Sequence, residues 1–551
     1  MIQSFAFSFL FLFCFYFFIF YFLFFSVFIF FFLHFSLIPK YIRFENFYIT
    51  MPDVLIKNVR LLADGVLTPA EILIENGKVT GIAKEFRISE YDALIDGKNA
   101  VAIPAGIDAH VHFRDPGMTY KENWYTGSCS AAAGGITTVL EHPNTLPPVI
   151  DKSGFYLKLK QAKKKSIIDF GINGGVTNNL EKLTELWALG VNCFGEIFMA
   201  ESTGGLNISN DTLGSALSKI GQMEAVAAIH AEDDALRLQN EKLLLNDNSD
   251  DVHSRIRPNE CEEIAVRNCL KINEAEKTPT NIHFCHTSTP EAVALIDAAR
   301  KDLQAKQNQM IEKNKNKDPA ERTSDYQILR HITCEVTPHH LFLSTKDCGR
   351  LKTFGKMNPP LRDPKSAEYM MTALRTGLVN AVASDHAPHR TYEKETAIKA
   401  APSGVPGVET LMPLMLAAVR KNMLSLERMI EVTSRNPARI FDLERLGKGF
   451  LKPGFDADIV LFDPKDVQVI KAKNLHTRCE WTPYEGMDGI FPAMTLSRGD
   501  VLWDGSQIIA KKGRGSFLPG KGRRPDADEF DGVDDRDLID ENEMENEEED
   551  E

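Results

Sequence analysis

Eight apolar segments that alternate with helical stretches constrain the fold of this chain more than any other feature. These predicted strands lie at residues 106–112, 137–142, 169–174, 191–199, 225–230, 281–286, 332–337 and 381–386. Strands that alternate with helices pair in parallel, because each crossover returns the chain to the same edge of the sheet. Eight such units predict an α/β fold with a (β/α)₈ barrel, whose functional side chains gather at the carboxyl ends of the strands.

Short strands with alternating polarity flank the barrel region on both sides. Residues 51–103 contain such strands, separated by turn signals such as Asn76-Gly77, and residues 441–515 return to the same pattern. We therefore predict a catalytic barrel at 104–440. A small β-sandwich domain should be built by both ends of the catalytic chain together.

The first fifty residues do not resemble the rest of the chain. From residue 2 to residue 38 there is no Asp, Glu, Lys or Arg, and Phe dominates. Such a run is long enough to span a bilayer, which needs about 20 apolar residues. It predicts either a membrane anchor or a wrongly assigned start, with translation beginning at Met51. We favour the second interpretation, which predicts a cytoplasmic protein, because an ordinary N-terminal sequence follows Met51.

The net charge of −14 comes from the C-terminal tail. Residues 526–551 contain sixteen acids and one base, so the remainder of the chain is close to neutral, which argues against nucleic-acid binding. We predict that the tail at 520–551 is disordered and solubilising. The polar segment 301–323 predicts a helix extension or a mobile insertion. The nine cysteines form no CxxC pair and favour a reducing compartment.

The first predicted strand ends in the motif DAHVHFRDPG, in which alternation places His110 and His112 on the same side of an extended chain. His230, His286 and Asp385 end three other predicted strands. Polar groups buried together at one barrel mouth are costly without an occupant. Because imidazole and carboxylate together suit Zn²⁺, we predict that barrel closure gathers these residues into a zinc site.

Two of these motifs resemble the signatures of the dihydroorotases, in the cyclic amidohydrolase branch of the amidohydrolase superfamily. The two motifs are DAHVHFRDPG at 108–117 and ASDHAPHRTYEK at 383–394. Further similar stretches follow in the family's order: EHPNT at 141–145, HAED at 230–233, CHTST at 285–289, CEVTPHHL at 334–341, KMNPPLR at 356–362 and APSGVPGVET at 401–410. The resemblance implies a TIM-type metal-dependent hydrolase barrel.

The resemblance also implies two metal ions that share a carboxylate. Their other ligands would be His110, His112 and Asp385 for the first metal, and His230 and His286 for the second. In this family a carboxylate from the fourth strand, often a carbamylated lysine, commonly bridges two zinc ions. Glu196 stands where we expect that residue, in GEIFMAESTGG. We predict that Glu196 bridges directly; the alternative is a structural Glu196 beside a single zinc.

Residues that would hold a ring-carboxylate substrate are implied in the same way. They are Arg114, Asn144 and His389 at the carboxylate, Asn358 at the ring amide, and the backbone around Pro402 and Gly404 over the ring. Arg114 offers a bidentate partner for a carboxylate. Asp385 would also be catalytic, by passing the proton of the attacking water to the leaving nitrogen. We expect His339 and His340 to be structural and leave His142 open.

The function that the resemblance implies is that of a zinc-dependent dihydroorotase. It would cyclise N-carbamoyl-L-aspartate reversibly to (S)-dihydroorotate in de novo pyrimidine biosynthesis. One alternative is an allantoinase or hydantoinase, whose substrates do not need the Arg114 anchor. The other is a catalytically silent scaffold, which is favoured only by Glu196 in place of the usual lysine. The predicted partner is a small-molecule substrate. The family further suggests a homo-oligomer and, in some relatives, association with aspartate transcarbamoylase.

Overall fold

The computed structural model of the protein describes residues 41–44, 47–50, 53–88, 90–200, 206–276, 278–315 and 331–524. The predictions for the Phe-rich residues before Tyr41 and for the acidic tail after Arg524 lie outside the described residues. Within those described, no helix combines the length and the apolar character that crossing a membrane requires.

The strands fall into three groups along the chain. Those before the barrel are β1 (Tyr41–Phe44), β2 (Phe47–Thr50), β3 (Val54–Ala63), β4 (Val66–Glu75), β5 (Lys78–Ala83) and β6 (Ala93–Pro104). The barrel strands are β7 (Gly106–Val111), β8 (Ile136–Glu141), β9 (Asp169–Ile172), β10 (Phe194–Phe198), β11 (Val226–His230), β12 (Asn281–Phe284), β13 (Ile332–Val336) and β14 (Ala381–Val382). After the barrel come β15 (Ile459–Phe462), β16 (Gln468–Val469), β17 (Asp488–Gly489), β18 (Met494–Ser497) and β19 (Asp500–Trp503).

The α-helices lie mainly between the barrel strands. They are α1 (Trp124–Ala133), α2 (Lys152–Lys165), α3 (Glu181–Leu189), α4 (Asn210–Gln222), α5 (Asp234–Leu243), α6 (Val252–Ile256), α7 (Asn259–Ala275), α8 (Pro290–Lys315), α9 (Pro338–Phe342), α10 (Cys348–Leu351), α11 (Pro364–Thr376), α12 (Thr391–Lys394), α13 (Leu411–Arg420), α14 (Leu426–Ile430) and α15 (Asn436–Ile440).

Two parallel ladders, β7-β8-β9 and β10-β11-β12-β13-β14, form the barrel wall. The ladders join where Gly174 and Phe194 form a parallel bridge, and the barrel closes where Val111 bridges to His386. The amide of His112 donates to the carbonyl of His386 over 2.8 Å at this closure. Each strand falls on one of the eight predicted segments, so the predicted fold class is confirmed. Parallel pairing places all eight carboxyl ends at one mouth.

Helix α11 shows how the sequence sets the ends of these elements. The side chain of Asp363 accepts from the backbone amides of Lys365 and Ser366, and Pro364 takes the first helical position, where no amide hydrogen is needed. Gly377 ends the helix with a left-handed φ of 91°.

The polar segment that begins at residue 301 continues helix α8. This helix has 26 residues, and its first turns bury Ala292, Val293 and Ile296 against the barrel. Residues 301–315 extend it in the manner of the predicted helix extension. Residues 316–323 lie outside the part of the chain that the structure describes.

A seven-stranded sheet in the order β19-β18-β15-β6-β3-β4-β5 lies beside the barrel. Strand β15 pairs antiparallel with β6, so a strand that follows the barrel joins one that precedes it. Ile56 and Ile72 pack with Ile459 and Leu496 in a common apolar cluster. Both ends of the catalytic chain therefore build this sheet, as predicted.

A buried lysine connects the sheet region to the barrel. The Nζ atom of Lys448 lies 2.5 Å from a carboxylate oxygen of Asp169 on β9 and 2.9 Å from those of Asp456 and Asp458. These three carboxylates could by themselves hold a metal ion, but the ammonium group already lies among them.

Candidate active site

Six side chains from five barrel strands meet at the mouth of the barrel. They are His110 and His112 at the end of β7, Glu196 on β10, His230 at the end of β11, His286 after β12 and Asp385 after β14. Each is at most 7 % exposed. The six residues predicted as metal ligands are thus brought together by strands far apart in the sequence.

The carboxylate of Glu196 faces two pairs of histidines. Its Oε1 lies 2.6 Å from Nε2 of His286 and 3.2 Å from Nδ1 of His230. Its Oε2 lies 3.4 Å from Nε2 of His110 and 3.6 Å from Nε2 of His112. Each oxygen of the Glu196 carboxylate therefore faces a different histidine pair.

Asp385 lies beside the first histidine pair. Its Oδ1 is 3.3 Å from Nε2 of His112 and 3.5 Å from Nε2 of His110. Asp385 and Arg114 have left-handed φ angles of 48° and 64°. Residues other than glycine rarely adopt this region, and those that do cluster at functional sites.

The donor atoms fit divalent metal ions. Ligand atoms of His110, His112 and Glu196 lie within 4.8 Å of one another, and so do those of Glu196, His230 and His286. Nε2 of His110 is buried and has no hydrogen-bond partner among the described residues. A buried polar atom without a partner is costly, and imidazole nitrogens with carboxylate oxygens are ligands that zinc prefers.

Burial and charge set the protonation of these groups. Burial opposes the charged form of His110, but the Glu196 carboxylate raises the pKa of His110 well above its ordinary value. Against the same burial, hydrogen bonds to Glu196 and Glu232 raise the pKa of His230 to about 9. Burial would raise the pKa of Glu196, but the charge of His110 and the surrounding hydrogen bonds lower it well below its usual range. Glu196 is therefore an anion at neutral pH, as a metal ligand must be.

Two further buried carboxylates hold the outer ring nitrogens of the candidate ligands. Oε1 of Glu335, on β13, lies 2.7 Å from Nδ1 of His110. Oε2 of Glu232 lies 2.9 Å from Nε2 of His230. Such partners fix the orientation of a metal-binding imidazole. Neither carboxylate is among the residues predicted from the sequence, although both lie in the motifs CEVTPHHL and HAED. The signal that could have identified them is an acid at the end of a buried strand.

A cavity opens beside these candidate ligands. Its wall includes Arg114, Asn144, Asn358 and Gly404, all predicted to bind substrate. Arg114 is only 2 % exposed, and its Nε donates to the carbonyl of Pro388 over 3.3 Å. A buried guanidinium in the wall makes this cavity suited to an anion.

The neighbours Ser403 and Gly404 are also among the lining residues, whereas His389 and Pro402, although described, are not. Nε2 of His389 lies 3.1 Å from the carbonyl oxygen of Ser403, and Nδ1 lies 3.1 Å from Nζ of Lys121. Burial and the neighbouring cations lower the pKa of His389 well below its ordinary value, so the ring is neutral. Both ring nitrogens of His389 therefore already have protein partners.

Lys394 ties two segments of the cavity wall together. It is buried, and its Nζ donates to the carbonyls of Lys356, Pro402 and Gly404 over 3.1, 2.8 and 3.0 Å. Burial and the charge of Lys356 lower the pKa of Lys394 to about 7. The residue lies in ASDHAPHRTYEK, but its role could not be inferred from that motif alone.

The remaining histidines near the site differ in their surroundings. Nδ1 of His340 lies 2.8 Å from Oγ1 of Thr337, and Nε2 lies 3.1 Å from the carbonyl oxygen of Pro359. His339 is fully buried beside His340. The ring of His142 lies 4.1 Å from that of His110, between centroids.

Comparison with known proteins identifies the family of the chain. The model of the Amidohydrolase family matches residues 101–304. A dihydroorotase from Methanosarcina acetivorans is 57% identical over 479 residues, which cover 87% of this chain and 98% of that protein. The chain belongs to the dihydroorotase family. A dihydroorotase from Methanosarcina mazei is 55% identical over 87% of this chain and 100% of that protein.

This member of the dihydroorotase family is also similar to solved structures. An L-hydantoinase (dihydropyrimidinase) from Arthrobacter aurescens superposes with a TM-score of 0.77 and 28% identity, covering 85% of this chain and 100% of that chain. A similarity of this extent includes both the barrel and the added β domain. The fold is therefore shared beyond the dihydroorotases, and the choice of substrate depends on the side chains of the cavity.

Proposed function

We propose that the chain is a metal-dependent dihydroorotase that interconverts N-carbamoyl-L-aspartate and (S)-dihydroorotate in de novo pyrimidine biosynthesis. The observation that carries this proposal is the 57% identity with a dihydroorotase over 98% of that protein. The buried guanidinium of Arg114 in the cavity wall supports it, because dihydroorotate carries a ring carboxylate that needs a cationic partner.

We assign two zinc ions to the candidate ligands, with a single zinc as the alternative. The first ion would be held by His110, His112 and Asp385, the second by His230 and His286, with Glu196 between them. When bound, zinc supplies Lewis acidity and lowers the pKa of a water ligand to about 7. Glu196 would hold its charge without CO₂, unlike a carbamylated lysine.

Arg114 and Asn144 would orient the substrate through its carboxylate. Oδ1 of Asn144 lies 2.7 Å from Nδ1 of His112, whose Nε2 is on the side of the proposed metal. Nδ1 of His112 therefore carries the hydrogen and donates to Oδ1. The amide NH₂ group of Asn144 is left to donate to the substrate, as the guanidinium of Arg114 would.

Asp385 would move the proton during ring opening. Its carboxylate lines the cavity, where it can accept a proton from the attacking water. It would then give that proton to the ring nitrogen as the carbon–nitrogen bond breaks. Ring closure runs in the opposite direction and consumes a proton, so acid favours dihydroorotate and base favours N-carbamoyl-L-aspartate.

The experiment that tests the proposal follows dihydroorotate ring opening with the full chain, before and after treatment with a chelator. We expect turnover that the chelator removes and added zinc restores. Hydantoin and allantoin are tested in parallel, because the fold is shared with an L-hydantoinase. Turnover of either compound, with none of dihydroorotate, would overturn the proposal in favour of another cyclic amidohydrolase.

The assembly of the protein is a separate prediction. We expect a homo-oligomer. The chain could also associate with aspartate transcarbamoylase, as some relatives do, and the same experiment tests this. Size-exclusion chromatography with light scattering, without and with added aspartate transcarbamoylase, measures both.

A further inference from the structure

Asn358 lies in the cavity wall next to a histidine that touches it from outside. The histidine is His253 on helix α6, and its Nε2 lies 2.9 Å from Oδ1 of Asn358 and 3.0 Å from the carbonyl oxygen of Met357. Asn358 lines the cavity. His253 is also described, but it is not one of the lining residues. His253 is not among the residues predicted from the sequence.

The carbonyl of Met357 decides which nitrogen of His253 carries a hydrogen. A carbonyl oxygen can only accept a hydrogen bond, so Nε2 must be the protonated nitrogen. The same N–H faces the amide of Asn358, and the amide atom opposite a donor must be an acceptor. The orientation of the Asn358 amide therefore follows from a backbone group and not from the assignment of the amide atoms themselves.

The surroundings keep this arrangement in place. Burial and the positive charges of Arg257 and Lys356 lower the pKa of His253 to about 3, so the ring is neutral across the physiological range. Helix α6 is also held by Ser254, whose Oγ donates to the carbonyl of Leu361 over 2.9 Å. With Oδ1 turned towards His253, the amide NH₂ group of Asn358 points away from that ring and is the donor that we assign to the cavity.

We infer that His253 is a positioning residue that makes Asn358 present a hydrogen-bond donor, so that Asn358 selects a carbonyl oxygen of the substrate over a ring N–H. This inference rests on the proposed function, because it concerns the same cavity and a cyclic amide substrate. Like Arg114 and Asn144, Asn358 would then present a hydrogen-bond donor to the substrate. A ligand that placed an N–H against Asn358 would leave two donors facing each other without an acceptor.

A double-mutant cycle tests the coupling. His253→Phe keeps a ring but removes the donor, and we expect it to raise KM for dihydroorotate about tenfold with little change in kcat, because the amide is free to turn. In an Asn358→Ala background the same change should have no further effect. Zinc content, measured on all variants, should stay at the wild-type value.

Ser254→Ala is the matched control, since it loosens helix α6 without touching Asn358. We expect its KM to stay within about twofold of wild type. Additive effects of His253→Phe and Asn358→Ala, or an equal effect of Ser254→Ala, would contradict the inference.

Neutron diffraction from deuterium-exchanged crystals of the full chain gives a readout that does not depend on activity. We expect deuterium on Nε2 of His253, and the ND₂ group of Asn358 turned away from that ring. An ND₂ group facing His253 would overturn the inference. If the wild type fails to open dihydroorotate, the proposed function fails, but the neutron result still decides the orientation of Asn358.

Discussion

Oε1 of Glu196 lies 2.6 Å from Nε2 of His286, while the other oxygen of the same carboxylate faces His110 at 3.4 Å. A glutamate is shorter than a carbamylated lysine, yet its two oxygens reach both histidine pairs. Under the proposed assignment, Glu196 on β10 would supply the shared negative charge without the CO₂ that a carbamylated lysine requires.

Glu196→Ala should therefore lower the zinc content from two per chain to one or fewer, because neither pair would keep a shared anion. Metal analysis of the purified protein measures this. Glu262→Ala is the control, since Glu262 is also buried but pairs with Ser288 and Arg362. An unchanged count of two in Glu196→Ala would exclude Glu196 as an essential bridge.

Arg114→Lys should raise KM for dihydroorotate about 10- to 100-fold while zinc content stays unchanged. A lysine keeps the charge but cannot make two parallel hydrogen bonds to a carboxylate, and hydrogen bonds to charged groups contribute about 1.5–3 kcal/mol. Steady-state kinetics and metal analysis on the same sample give both quantities. Arg428→Lys, at an arginine that donates to Leu374 and Val379 carbonyls, is the control. Equal loss of zinc in Arg114→Lys would show that Arg114 supports the metal site instead.

Glu335→Gln should weaken zinc binding about 10- to 100-fold, because Glu335 holds Nδ1 of His110 at 2.7 Å and so orients the nitrogen that faces Glu196. Competition with a zinc-binding dye measures the affinity. Glu335 also contacts His283, whose other nitrogen lies 2.8 Å from Oγ1 of Thr333. Thr333→Val is therefore the control, and a similar loss of zinc there would assign the effect to His283.

Lys394→Met should change the pH dependence of stability. The pKa of Lys394 is lowered to about 7 in the folded protein, mainly by burial, against about 10.4 for an unfolded lysine. Between these values the unfolded chain binds more protons, so the burial penalty is complete below pH 7 and is relieved as the pH rises. Wild type should gain about 2–3 kcal/mol relative to Lys394→Met between pH 6 and pH 9.

Urea unfolding of the wild type and Lys394→Met at several pH values checks this expectation. Lys399→Met provides the comparison, since Lys399 also donates to a backbone carbonyl, that of Leu244, over 2.6 Å. A stability difference between wild type and Lys394→Met that is constant from pH 6 to pH 9 would show that the amine stays charged in the folded protein.

The barrel and five of the six candidate ligands could be predicted because each rests on a local pattern, whereas Glu196 was identified only through the resemblance to the dihydroorotases. Apolar runs mark strands, alternation places His110 and His112 on one side, and parallel pairing brings strand ends such as His230 to the same mouth. These are properties of a few neighbouring residues together with one rule of barrel geometry. The roles assigned to the ligands and to the substrate-binding residues stay predictions until metal and kinetic measurements are made.

What the sequence determined by itself is which side chains reach the mouth, since strand periodicity and the order of strands are encoded locally. Only the tertiary structure decided how those side chains are held. His253 meets Asn358 across 105 positions of sequence, and Glu335 meets His110 across 225. Hydrogen bonds act over about 3 Å, and no local pattern records which distant group will come within that distance once the chain has folded.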